Sequence, residues 1–170
     1  LIIDKKGKVS AYLEVEPVAQ SCAHGLFIIK EVRNETSSFG LGDSKGIVRI
    51  QPAYYDLRIL GPKLIAYYDQ SVDTLARRQK RWGLMNDKGE IIVPATLEDV
   101  GPLSEGVVAV TRRGETSYFD LHGKLVIPTQ ARGLTFQNGR APVRFEGKWG
   151  YLDRQGKPVL GPNYENVTAW

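Results

Sequence analysis

The sequence predicts an all-β fold, a tandem array of three-stranded antiparallel β-meander repeats. Two observations lead to this prediction. Glycine and proline are frequent, with 18 and 9 copies in 170 residues, which indicates many turns and therefore short strands. In addition, one short motif recurs along the whole chain, and self-similarity at a period of about 20 to 50 residues is typical of repeat architectures.

The recurring motif is an aromatic residue and Gly, then Asp or Asn, then a second Gly three residues later. Its clearest copies begin at Trp82 and Trp149, Phe39 begins a weaker copy, and Thr116 replaces the aromatic residue in another. The second glycines are Gly7, Gly46, Gly89, Gly123 and Gly156, so successive copies are 39, 43, 34 and 33 residues apart. This register divides a single repeat domain into five units, a truncated unit 1–21 and units 22–58, 59–100, 101–134 and 135–170.

Each unit is predicted to contain three strands. A β-rich run such as Gly106–Val110 forms the first, the Trp-Gly run the second, and a Val/Ile run that ends at Pro, such as Ile91–Pro94, the third. In the segment between the second and third strands, Asp hydrogen-bonds the turn backbone and Gly supplies a positive φ, which predicts a hairpin. The Trp offers a large flat surface, and the adjacent Gly lets a neighbouring backbone approach closely. The structural repeat residues are therefore Trp82, Gly83, Gly89, Trp149, Gly150, Asp153 and Gly156.

Neighbouring units are expected to stack, because a three-stranded sheet of this size cannot bury two faces alone. We favour an open, twisted, solenoid-like stack over a closed propeller-like ring. Propeller blades usually have four strands and about 40 to 45 residues, whereas two of the spacings here are only 34 and 33 residues.

The motif resembles the bacterial WG-repeat family, also described as KWG repeats, whose signature is basic-Trp-Gly-apolar-x-Asp-x-x-Gly-Lys followed by Val-x-Pro. The resemblance is strongest at Arg81–Pro94 and Lys148–Tyr164, and it weakens where Phe39 replaces Trp and where Thr116 and Ser117 replace Trp-Gly. It implies a β-repeat protein without general catalytic activity. It also favours a periplasmic or extracellular location over a cytoplasmic one, since such repeats often occur in exported or envelope-associated proteins.

Composition excludes several function classes. One cysteine is too few for a disulfide framework or a multi-cysteine zinc site, and no apolar stretch is long enough for a membrane span. Of the two histidines, His122 lies in a predicted turn, and His24 has only Cys22 as a potential metal-ligand neighbour. We therefore expect no metal, no cofactor and no enzymatic activity.

Relative to the shortest spacing of 33 residues, the spacing of 43 carries ten extra residues and that of 39 carries six, and these insertions fall at 69–81 and 31–38. Both segments precede a Trp-Gly strand, so they are expected to project from one edge as loops. The longer one ends in four positive charges within five residues. Two tyrosines precede it on opposite strand faces, so one of them is expected in the core and the other exposed. These residues form the predicted partner surface, named the insert edge: Tyr67, Tyr68, Arg77, Arg78, Lys80 and Arg81.

The leading hypothesis is a non-catalytic module that binds another protein through the insert edge, because Tyr and Arg are enriched at interaction hot spots. A solvated loop is the other interpretation of the charge run. Binding of a glycan or cell-wall polymer is the alternative function, indicated by Trp, Tyr and the net charge of +4. Nucleic-acid binding is the least favoured, because this charge is mild and such binders usually concentrate charge on one face. It would depend on Arg77, Arg78, Lys80, Arg81, Arg112 and Arg113.

Overall fold

The chain folds entirely as β-structure where it is described. In a computed structural model, residues 2–3, 9–11, 16–69, 81–128 and 131–165 are described, with side chains from residue 23 onward within these ranges. These residues form eighteen strands, which confirms the predicted all-β class. None of them belongs to a helix that could cross a membrane. The chain divides into two compact units, residues 1–95 and 96–170.

The first unit contains a two-stranded ribbon and two four-stranded antiparallel sheets. The ribbon pairs β1 (Ile2–Ile3) with β2 (Val9–Ala11). Sheet I consists of β3 (Glu16–Ala23), β4 (Leu26–Arg33), β5 (Thr36–Asp43) and β6 (Val48–Tyr54), in that spatial order. Sheet II consists of β7 (Asp56–Gly61), β8 (Leu64–Tyr68), β9 (Trp82–Met85) and β10 (Ile91–Leu97), again in chain order, and only the last two residues of β10 lie past residue 95.

The second unit contains two further four-stranded meanders. Sheet III consists of β11 (Asp99–Ser104), β12 (Val107–Arg112), β13 (Glu115–Asp120) and β14 (Leu125–Ile127). Sheet IV consists of β15 (Arg132–Gly133), β16 (Arg140–Phe145), β17 (Lys148–Asp153) and β18 (Pro158–Tyr164). Each strand therefore pairs with its neighbours in sequence, as expected of a meander.

The prediction of three strands per sheet is wrong by one strand, because each meander begins with a strand that the motif does not reveal. In sheet II this strand is β7, which starts directly after a bend at Tyr55. Leu57 and Leu60 are buried, and Leu57 pairs with Tyr67 of β8. Burial of these two leucines stabilises the segment as a strand. The predicted unit boundaries at 58/59 and 100/101 fall inside β7 and β11.

The predicted Asp-x-x-Gly hairpins are confirmed in all four sheets. At the turn between β17 and β18, Oδ1 of Asp153 accepts hydrogen bonds from the backbone N–H groups of Gln155 and Lys157, each at 2.9 Å. The N–H of Gly156, at φ +76°, donates to the Asp153 carbonyl at 3.0 Å. The other sheets make the same side-chain contacts at Asp43, Asn86 and Asp120.

The glycine that follows the aromatic residue of the motif admits a neighbouring backbone, as predicted, in two of the sheets. Trp149 pairs with Tyr164 and Tyr151 with Leu160, so residues 161–163 of β18 bulge opposite Gly150. A Cβ on Gly150 would lie 2.6 Å from the Leu160 carbonyl oxygen. Gly40 of β5 likewise lies opposite a bulge, which is formed by β6. At Gly83 the space is filled instead by the ring of Tyr67.

Of the three prolines predicted to end the last strand of a sheet, Pro128 does so, whereas Pro94 and Pro162 do not. Pro94 and Pro162 lie inside β10 and β18, while Pro128 directly follows β14. β10 and β18 are edge strands, and a strand edge tolerates Pro because no neighbour requires its missing N–H. Proline at an edge also blocks the addition of a further strand.

Within each unit, one sheet covers a face of the other, which is the stacking expected of neighbouring repeats. Sheets I and II share a buried cluster that includes Leu41, Ile50, Ile65 and Met85. Sheets III and IV share another, which includes Tyr118, Ile127, Val143 and Leu152. The open arrangement of the whole array stays a prediction.

Candidate binding surfaces

The insert edge is described only in part. Arg77, Arg78 and Lys80 lie outside the described residues, and Arg81 is partly buried just before β9. The shorter predicted loop, residues 31–38, is instead the extended ends of β4 and β5, joined by a two-residue turn. Asn34 and Glu35 form that turn with φ values of 47° and 63°. The expected pair of projecting loops is therefore wrong at the shorter segment, because paired strands occupy it.

The two tyrosines of the insert edge lie on opposite faces of β8, as predicted. Tyr67 is only 4% exposed, and its hydroxyl donates a hydrogen bond to the Val93 carbonyl at 3.5 Å. Burial raises the pKa of Tyr67, so the phenol stays neutral. Tyr67 therefore belongs to the core, which corrects its assignment to a partner surface, while Tyr68 is half-buried on the other face.

Tyr68 belongs to a row of stacked side chains across sheet II. Its ring lies 6.1 Å from that of Tyr55 and 5.8 Å from that of Trp82. The guanidinium carbon of Arg58 lies 4.1 Å from the centroid of the Trp82 ring, within the range of a cation–π contact. Trp82 is buried, so this row stabilises the strands that flank residues 70–80 and leaves little indole surface for a ligand.

A second set of aromatic and basic residues lies on one face of sheet IV, and it is more open. The register places Arg132, Arg144, Trp149 and Tyr164 in one row, and Tyr151 and Leu160 in another on the same face. These six residues are named the arginine–aromatic face. The Arg144 guanidinium carbon lies 5.9 Å from the Trp149 ring centroid.

In sheets I and III the equivalent of this face is covered. Leu160 follows its turn glycine by four residues, as Ile50 and Ile127 do in sheets I and III. Ile50 and Ile127 are 8% and 3% exposed, whereas Leu160 is 39% exposed. In both buried cases the turn glycine of the next sheet packs on the side chain: Gly89 on Ile50 and Gly156 on Ile127. The arginine–aromatic face is thus the exposed equivalent of a face that a further sheet covers elsewhere.

A cleft of about 300 Å³ lies in the second unit, between the first strands of sheets III and IV. Its wall combines charged, amide and hydroxyl side chains with apolar ones: Asp99, Gly101, Ala109, Thr111, Gly133, Leu134, Thr135, Gln137, Arg140, Pro142 and Tyr151. Several come from β11 and β15, the strands that the motif does not reveal, so the sequence carries no signal for this cleft.

Four hydrogen-bonded contacts hold the walls of the cleft. The Glu105 carboxylate accepts from the Gly139 N–H at 2.9 Å and pairs with Arg154 at 3.0 Å. The Tyr118 hydroxyl donates to the Leu134 carbonyl at 2.7 Å. The Ser104 hydroxyl donates to the Phe136 carbonyl at 2.6 Å. In the part of the chain that is described, no group of three or more His, Cys, Asp and Glu side chains could hold a metal ion.

Comparison with known families identifies the repeat. The family model described as WG containing repeat matches residues 82–115, 117–149 and 149–170, which together cover just over half of the chain. Searches among curated proteins and among solved structures gave no significant match. The first and third matches begin at the Trp residues of β9 and β17. The chain therefore belongs to the WG-repeat family.

Proposed function

We propose that this protein is a non-catalytic β-repeat module that binds another protein through the arginine–aromatic face of sheet IV. The observation that supports this proposal is the exposure of Leu160 where its equivalents Ile50 and Ile127 are buried. Exposed apolar patches mark interaction sites, and Trp, Tyr and Arg are the residues most enriched at binding hot spots. The arginine–aromatic face combines an exposed apolar side chain with Trp, Tyr and Arg.

The charge of the face indicates the chemistry of the partner. Arg132 and Arg144 are both exposed, and they lie side by side in one row with the half-buried ring of Trp149, next to Arg144. A complementary surface therefore has an apolar centre, which covers Leu160 and Trp149, and carboxylates at its rim. Pro162 on β18 lacks a backbone donor, which argues for a partner that covers the face and against one that adds a strand to the edge.

Affinity capture from an extract of the native cells tests the proposal with three altered baits beside the wild type. The face bait carries Leu160→Asp and Arg144→Glu. Its matched control carries Val126→Asp and Arg112→Glu, because Val126 is 38% exposed on another edge strand and Arg112 is also exposed. The third bait carries Glu at the four basic positions of the insert edge.

We expect one protein to be retained by the wild type, the control and the insert-edge bait, and to be lost from the face bait. With that partner purified, the face substitutions should weaken binding by at least about tenfold, or 1.4 kcal/mol. Loss from the insert-edge bait alone would move the site to the β8–β9 hairpin. Equal retention by all four baits would contradict the proposal.

The proposed location is the periplasm or the cell exterior, which the WG-repeat resemblance favours. Fractionation of the native cells, followed by detection of the chain with a specific antibody, tests this location. Recovery in the cytosolic fraction would contradict it.

A further inference from the structure

The cleft of the second unit is a candidate site for a small ligand, and it adjoins the arginine–aromatic face, because Tyr151 belongs to both. Its volume of about 300 Å³ is at the lower end of the usual range for ligand pockets, about 300 to 1,000 Å³. Ligand pockets are typically apolar concavities with a few polar groups that fix the orientation of the ligand. This cleft has that character, and two of its polar groups carry opposite charges.

Asp99 and Arg140 are the two charged residues of the cleft. Both are exposed, and among the described residues neither side chain has a hydrogen-bond or ion-pair partner, although they line one cleft. A ligand that carries both an ammonium and a carboxylate group would pair with each of them. The guanidinium of Arg140 suits the carboxylate because its planar fork can bind both oxygens at once.

The other walls indicate an apolar body for the ligand. Ala109, Leu134, Pro142 and the ring of Tyr151 present apolar surface to the cleft, and Leu134 is 39% exposed. A ligand side chain placed there would remove this surface from water, which favours binding by roughly 25 cal/mol per Å² of apolar area buried. A polyhydroxylated sugar would gain less from these walls and would leave both charges without an opposite charge.

The cleft is held open before any ligand arrives. The Tyr118 hydroxyl fixes the backbone at Leu134, and Glu105 joins the β11–β12 turn to the turn that precedes β16. Gly133 is in the wall beside Tyr118, and a Cβ at this position would collide with the tyrosine hydroxyl. A site whose groups are already fixed loses less conformational entropy on binding.

We propose that this cleft binds a small zwitterion with an apolar side chain, the chemical class of the hydrophobic α-amino acids. The ammonium group of the ligand lies at Asp99, its carboxylate at Arg140, and its side chain against Leu134 and Pro142.

Isothermal titration calorimetry on the full chain tests this assignment with five probes. L-leucine carries both charges, L-leucinamide lacks the carboxylate, N-acetyl-L-leucine lacks the ammonium, and D-glucose lacks both. L-phenylalanine tests the size limit of the apolar wall. The variants are Asp99→Asn and Arg140→Gln, with Arg112→Gln as the matched control, since Arg112 is an exposed arginine of sheet III that does not line the cleft.

We expect saturable binding of L-leucine that weakens by at least about tenfold in Asp99→Asn and in Arg140→Gln and is unchanged in Arg112→Gln. The two probes that lack one charged group assign each contact. Arg140→Gln should not further weaken the binding of L-leucinamide, and Asp99→Asn should not further weaken the binding of N-acetyl-L-leucine. The absence of saturable binding of both amino acids up to about 10 mM would overturn the proposal, as would tighter binding of D-glucose than of L-leucine. Binding of L-leucine that both cleft variants leave unchanged would place the site elsewhere and would overturn it as well.

Discussion

Replacement of Gly150 by Ala should destabilise the second unit by about 2 to 3 kcal/mol, the upper part of the range for overpacking. A Cβ at this position would lie 2.6 Å from the Leu160 carbonyl oxygen and 3.1 Å from that of Gly161. Both neighbours are backbone atoms, held by the pairing of Tyr151 with Leu160 and of Trp149 with Tyr164. Relief of the clash therefore requires loss of ladder hydrogen bonds, because no side chain is there to rotate away.

The matched control is Gly147→Ala, at the tip of the same β16–β17 hairpin. A Cβ at Gly147 would meet nothing within 4 Å, but φ is +85° there. The control therefore adds backbone strain without a clash, at about 1 kcal/mol. Urea unfolding followed by far-UV circular dichroism measures both variants against the wild type. If Gly150→Ala is no less stable than Gly147→Ala, the proposed role of the glycine that follows Trp is refuted.

Three further predictions concern turns and buried ionisable groups. Asp153→Ala should cost about 1 to 2 kcal/mol in urea unfolding, since it removes two hydrogen bonds to backbone N–H groups. Asp153→Asn should cost less than about 0.5 kcal/mol, because Asn86 forms the same turn. Burial raises the pKa of Asp43, but hydrogen bonds from backbone N–H groups and from Arg49 outweigh it and hold this pKa below 3.8. The stability that Asp43 contributes should therefore be present above pH 3.8 and be lost as the pH falls through the lower folded-state pKa; Asp43→Asn should flatten the acid limb of a plot of Tm against pH. Burial raises the pKa of Tyr118 above its usual 10.0, so stability should fall above pH 10.0 as the unfolded chain ionises first, and Tyr118→Phe should reduce this alkaline loss.

The hairpins were predictable because their geometry is local. In each of the four turns, an Asp or Asn oxygen bonds backbone groups two and four residues ahead, so a local five-residue segment determines the structure. The first strand of each sheet was not predictable in the same way. β7 is separated from β6 by Tyr55 alone, and its strand character depends on pairing with β8 and on burial of Leu57. Neither of these follows from the local sequence.

The candidate sites were also predictable only in part, because they depend on packing between sheets. Alternation along β8 predicts that Tyr67 and Tyr68 lie on opposite faces, but which ring is buried depends on the sheet that packs against each face. Leu160 looks like Ile127 in its repeat, and only the packing of a turn glycine on one of them makes their exposures differ. The cleft has no signal in the sequence, because Asp99, Gly101 and Gly133 of its wall come from β11 and β15, two strands that the motif does not reveal.

The most direct test of the account is hydrogen–deuterium exchange of the purified protein with and without the captured partner. If the partner covers the arginine–aromatic face, amides of residues 140–164 should exchange more slowly in the complex, while those of residues 64–85 should be unchanged. Slower exchange confined to residues 64–85 would contradict the account and would place the partner at the insert edge.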